Sequence, residues 1–164
     1  MRRLKDFFAK HRQIILYLVF GAVTTVASLA ACYLTLKVGV IFLHDENGNP
    51  TELLDVIGSS TQWVAGVLVA FITNKLWVFT DAEHGARSTF KQLAVFAGGR
   101  VFTYFLEVVV NLALIWAIEK LGYSPFTLLG LEMSSRVWAK LATSVIVVVV
   151  NYFISKLVVF KKKS

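Results

Sequence analysis

The chain has 164 residues, of which 57% are apolar and 16% charged, whereas a soluble domain is about 45–50% apolar and about 25% charged. A mean hydropathy of +0.68 exceeds what a core of this size hides, so much of the surface faces lipid. The net charge of +7 sits at the two ends and beside apolar runs. That is the placement of membrane-flanking charge and argues against nucleic acid as a partner.

The chain begins with a basic segment, Arg2, Arg3, Lys5, Lys10 and Arg12 against Asp6. It reads either as a short interfacial helix with Leu4, Phe7 and Phe8 on one side or as a basic tail. A first apolar span runs from about Gln13 to Leu43, broken only by Lys37. It is about twice the length of a signal-peptide apolar core, so a retained span is expected, with tilt or an extension above the membrane taking up the excess. Cys32 lies inside it as a small packing residue. It is the only cysteine, and with His11, His44 and His84 scattered as surface residues, no disulfide, metal or cofactor is expected.

An acidic loop follows, with Asp45, Glu46, Glu52 and Asp55 and the turn sequence Asn47-Gly48-Asn49-Pro50. The second span runs from about Ser59 to Phe79, the third from about Gln92 to Ile118, and the fourth from about Arg136 to Phe160. Each is long enough for a transmembrane helix, and no barrel alternation is present. The loop after the second span holds Arg87 and Lys91, with Lys75 just before it; the chain ends in Lys161, Lys162 and Lys163. The third loop holds Lys120, followed by Arg136 and Lys140. By the positive-inside bias, both ends and the second loop face the cytoplasm. Lys37, Arg136 and Lys140 are expected to snorkel to the outer face. Trp63, Trp77, Trp116 and Trp138 fit interfacial anchoring.

The end of the second span, Phe71-Ile-Thr-Asn-Lys-Leu-Trp-Val-Phe79, repeats without gaps 81 positions later as Tyr152-Phe-Ile-Ser-Lys-Leu-Val-Val-Phe160. Span starts match more weakly, Gly21 with Gly99 and Thr25 with Thr103. The fold class expected is therefore an all-α membrane protein, with four transmembrane helices built as two parallel-repeat hairpins. The small residues Gly21, Ala22, Gly66, Gly98 and Gly99 are read as close-approach points.

Polar residues interrupt the lipid zone. Arg100 lies about 12 Å into the third span, where a cation costs about 2.5–3.5 kcal/mol on insertion scales. Glu107 and Asn111 continue its face. Asn151, Ser155 and Lys156 occupy the fourth span, and Asn74 and Lys75 the second. By depth, these groups share the cytoplasmic half of the bundle and suit a phosphate at headgroup level. The alternatives are snorkelling for Lys75 and Lys156, an Arg100–Glu107 ion pair that fixes packing, and amides that join helices. No paired-carboxylate, Ser/His/Asp or Gly-rich phosphate motif is present, so no enzyme is expected.

The two span-closing motifs resemble the signature of the GtrA-like family. So do Tyr17-Leu-Val-Phe-Gly-Ala-Val-Thr-Thr25 and Arg100 followed by Glu107, and the likeness runs from about Ile14 to Lys163 as a single domain. One departure is Ala70, where the second copy has Asn151. The resemblance implies a flippase, or part of one, in the bacterial cytoplasmic membrane. It would move a polyprenyl (undecaprenyl) phosphate-linked monosaccharide for cell-surface polysaccharide glycosylation. Its partners would be the lipid-linked sugar, glycosyltransferases on each side of the membrane, and further copies of itself as a homo-oligomer. In that reading Arg100, Lys75 and Lys156 hold the phosphate, and Asn74, Asn151 and Ser155 hydrogen-bond phosphate or sugar. Glu107 orients Arg100 or meets sugar hydroxyls. The alternatives are a non-transporting partner that stabilises a glycosyltransferase, and a small proton-coupled exporter using Glu107.

Overall fold

A computed structural model describes residues 2–45, 47–48, 51–83, 85–128 and 131–161, with backbone alone for 2–10, 128 and 131–133. The sequence readings on Glu46, Asn49, Pro50, His84, Lys162 and Lys163, and on the side chains of Leu4, Phe7 and Phe8, lie outside the described residues. Among the described residues, four helical stretches are long and apolar enough to cross a membrane: His11–Gly39, Glu52–Val78, Ala86–Lys120 and Ser135–Val159. Within the 18-residue apolar stretch of the third, only 6% is buried. Large apolar side chains such as Val26, Phe105 and Val109 stand on the surface, and a surface of that kind requires lipid or protein against it. The chain divides into two compact units, one ending at Ala82 and the other spanning Glu83–Lys161.

The first unit is a helix hairpin. Helix α1 (Arg2–Gly39) continues from the basic segment into the first span without a break, so the N-terminal segment is helical. The helix stops at Gly39, and residues 40–43 form turns; the expected run to Leu43 is shorter for that reason. In the loop, the Asp45 carboxylate accepts the Asn47 N–H at 2.9 Å, and Gly48 supplies a positive φ of 79°. Helix α2 (Glu52–Thr73) then starts seven residues before the expected Ser59. Thr51 caps it, its hydroxyl accepting from the Leu54 N–H, and Glu52 and Asp55 lie in its first turn. The two acids read as loop residues are therefore placed at the positive end of a helix.

Helices α1 and α2 pack closely. A Cβ at Gly58 would stand 2.9 Å from Leu36 Cδ2 and 3.5 Å from Cys32 Sγ, so Cys32 packs where the two helices come close. Leu54, Val67 and Phe71 are buried. The close-approach reading holds for Gly66, whose Cβ position is 3.5 Å from Ser28. It does not hold for Gly21, where nothing lies within 4 Å.

The second unit is also a hairpin, α3 (Ala86–Lys120) against α4 (Ser135–Ile154). A Cβ at Gly99 would stand 3.0 Å from Ile154, whereas Gly98 faces open space. The connection holds a short antiparallel ribbon, β1 (Phe126–Leu128) with β2 (Leu131–Met133), which pairs Phe126 with Met133 and Thr127 with Glu132. The sequence reading missed this ribbon because three-residue strands carry too little alternation to register. Ser135 donates to Glu119 at 3.0 Å and Trp138 to the Tyr123 hydroxyl at 2.8 Å. These bonds tie the foot of α4 to the end of α3.

Candidate functional site

Each hairpin ends in the same backbone device. After α2 the helix widens into a π-helical turn over Asn74–Val78, and after α4 it does so over Ser155–Val159. The last N–H of each turn donates back five residues, Phe79 to the Asn74 carbonyl and Phe160 to the Ser155 carbonyl, both at 2.8 Å. The closing phenylalanines share the same backbone region, φ −113° and ψ 59° for Phe79 against −104° and 46° for Phe160. Both rings are buried, as are Val78 and Val159 before them. The repeated sequence thus encodes a repeated shape, and π-helical turns of this kind concentrate at functional sites.

In the first hairpin the widened turn buries Asn74 and Lys75, 3% and 8% exposed. Lys75 Nζ lies 6.0 Å from the Phe71 ring centre. A lysine is seldom this buried, so Lys75 is held off the surface of the hairpin. Leu76 and Trp77 point outward, and Trp77 stacks on Phe20 at 5.3 Å.

In the second hairpin, Asn151 and Ser155 are buried and Lys156 is exposed. Lys156 Nζ donates to the Tyr152 hydroxyl at 3.2 Å and lies 5.5 Å from that ring. Exposure therefore separates the two lysines, Lys156 on the surface and Lys75 off it. Asn151 Oδ1 accepts from the Thr103 hydroxyl at 3.1 Å, and the same hydroxyl is 3.1 Å from the Arg100 carbonyl. Arg100 stacks over Phe96 with its guanidinium carbon 5.0 Å from the ring centre, and Phe96 in turn packs against Phe160 at 6.1 Å. Arg100, Thr103, Asn151 and the second π-helical turn thus form one connected group. Thr103 was visible in the sequence as the partner of Thr25 in the repeat, but nothing there marked it as the residue that holds Asn151.

Glu107 does not meet Arg100. Its carboxylate pairs with Lys140 on α4. Lys140, expected to reach the outer face, is thereby the partner of Glu107. Arg100 has instead turned onto Phe96, and the exposed Lys140 reaches across from α4 to take Glu107. Eight residues along each helix from the Thr103–Asn151 pair stand Asn111 and Thr143. Asn111 Nδ2 and Thr143 Oγ1 are buried with no hydrogen-bond partner, a state that buried polar atoms seldom occupy.

A family model for the GtrA/DPMS transmembrane domain matches residues 16–160. The chain belongs to this family. Among curated proteins, it is 29% identical over 153 residues to the cell wall teichoic acid glycosylation protein GtcA of Listeria monocytogenes serovar 1/2a, covering 92% of this chain and 86% of that one. It is 28% identical to the protein of the same name from Listeria innocua, over 90% of this chain and 84% of the relative. The uncharacterized membrane protein YwcD of Bacillus subtilis is 27% identical over 90% of this chain and 95% of its own. No solved structure matches. As a GtrA/DPMS domain with four apolar spans and bacterial relatives, the chain is a multi-pass bacterial membrane protein.

Proposed function

We propose that this GtrA/DPMS domain works in cell-surface polysaccharide glycosylation as a flippase, or flippase component, for a polyprenyl-phosphate-linked monosaccharide. It does so without catalysing a covalent step. The observation that carries the reading is the buried Asn74–Lys75 pair in a widened helix end. It is a cation beside an amide, at the end of a span where the loop charges mark the cytoplasmic side. A lipid phosphate at headgroup level is the anion such a group would meet. Lysine would hold it as a point charge and the amide would donate to its oxygens. Arg100 in the second hairpin supplies a planar, permanently charged donor set of the same kind. The glycosylation named for the Listeria relatives agrees with this substrate class.

Glu107 would meet sugar hydroxyls through the oxygen not engaged by Lys140. Its pairing with Lys140 weighs against the exporter reading, in which a lone carboxylate carries the proton. Partner glycosyltransferases on the two sides would supply and consume the lipid-linked sugar, and consumption outside would drive net movement. Further copies of the chain would enlarge the small volume that four spans enclose.

The test is transfer in vesicles. Purified protein is reconstituted with a polyprenyl-phosphate sugar, and its arrival in the far leaflet is followed for the native chain and for Arg100→Ala. Transfer that is lost in the variant supports the reading. No transfer by a folded native protein that still binds the lipid would overturn transport and leave the accessory role.

A further inference from the structure

The second hairpin holds a cleft that the site above does not use. It measures ≈ 190 Å³ and is lined by Glu83, Ser88, Lys91, Gln92, Lys161 and a wall of Val95, Val158 and Val159. Its frame is built by hydrogen bonds. Gln92, 7% exposed, donates through Nε2 to the Glu83 carbonyl and to Ser88 Oγ, both at 3.1 Å. Ser88 in turn donates to the Glu83 carboxylate at 3.2 Å. Helix α3 begins beside it at Ala86, after Gly85, which offers no side-chain cap. The first-turn N–H groups and the positive helix end therefore add to the field of the lysines.

From this cleft we infer a cytoplasmic loading position for a glycosyl phosphodiester headgroup, the substrate class of the proposed function, on which this inference rests. Lys91 and Lys161 provide two ammonium groups for a phosphate. The Glu83 carboxylate, held by the Ser88 hydroxyl, provides an acceptor for sugar hydroxyls. A phosphomonoester would bring its extra negative charge, and no sugar, against the Glu83 carboxylate. The volume lies below the ~300–1,000 Å³ of pockets that enclose whole small molecules. It suits a headgroup whose chain stays outside, along the valine wall. The loop and chain end that form the cleft belong to the basic, cytoplasmic side, so the headgroup would be met where it is made.

The experiment reads the cleft locally. The full chain in nanodiscs is treated with an amine-reactive reagent, and labelling of Lys91 and Lys161 is measured by mass spectrometry, with Lys120 as the control. Three probes are compared: farnesyl-phosphoryl-glucose, farnesyl phosphate and inorganic phosphate. Labelling at Lys91 and Lys161 should slow several-fold with farnesyl-phosphoryl-glucose, and less with farnesyl phosphate. Lys120 should be unaffected. Glu83→Gln should erase the difference between the two lipids. Equal protection by inorganic phosphate would overturn the assignment in favour of a free-anion site, and no protection by any probe would overturn it outright. Protection without vesicle transfer would keep the cleft and sink the transport reading. Arg100-dependent transfer with no protection, undiminished in Lys91→Gln/Lys161→Gln at limiting lipid, would do the reverse.

Discussion

The two hairpin ends share a backbone and differ in chemistry. Both widen into a π-helical turn and both close on a buried phenylalanine. Yet the first buries its lysine and the second leaves its lysine on the surface, tied to Tyr152. Position 71 is a phenylalanine, whose ring lies near Lys75, whereas position 152 offers Lys156 a hydroxyl. Position 70 is alanine, whereas its counterpart Asn151 binds Thr103. A shared shape with divided tasks follows. The first end holds a desolvated cation beside an amide, and the second builds a polar seam between its helices.

The comparison breaks first at its shared element. Phe79→Ala and Phe160→Ala each remove a buried ring and should each cost about 3–5 kcal/mol, read as loss of folded protein in detergent titration. A large cost at one end only would show that the two turns are not equivalent supports.

The next expected difference is functional. Lys75→Gln should lower vesicle transfer at least about tenfold, roughly 1.4 kcal/mol. Lys156→Gln should change it by less than about threefold, since Lys156 stands on the surface and is already engaged by Tyr152. Equal losses would remove the division of tasks.

Swapping the amide sharpens the contrast on stability. Ala70→Asn places a polar group at a 4% exposed position and should destabilise by about 1–3 kcal/mol if it finds no partner. Asn151→Ala should cost less, about 1 kcal/mol, because the Thr103 hydroxyl retains the Arg100 carbonyl as an acceptor. The reverse ranking would mean that the first hairpin has a hidden partner for an amide at position 70.

The smallest effect concerns the orphaned pair. Asn111→Leu with Thr143→Val removes two unpartnered buried atoms and should leave stability unchanged or raise it by up to about 1 kcal/mol. If transfer then falls, the pair is kept for the passing sugar and not for packing.

Much of this molecule was legible in the chain itself. Apolar run length determined four spans, because lipid tolerates few other ways to satisfy a backbone. The gapless match from Phe71–Phe79 to Tyr152–Phe160 determined the repeat. Arg100, Asn74 and Lys75 stood out because polar groups in lipid are costly wherever they occur.

Tertiary structure decided the partners. The sequence put Glu107 on Arg100's face, but a face is shared by several neighbours, and the packing of α4 beside α3 gave Glu107 to Lys140. Spacing alone did not distinguish Lys75 from Lys156, whose flanking residues are nearly alike; packing around the first π-helical turn buried one and left the other exposed. The cleft at Glu83, Ser88 and Gln92 is bounded by residues some seventy positions later in the chain. Composition and periodicity describe what a segment prefers to face, whereas pairing depends on which distant segment arrives there.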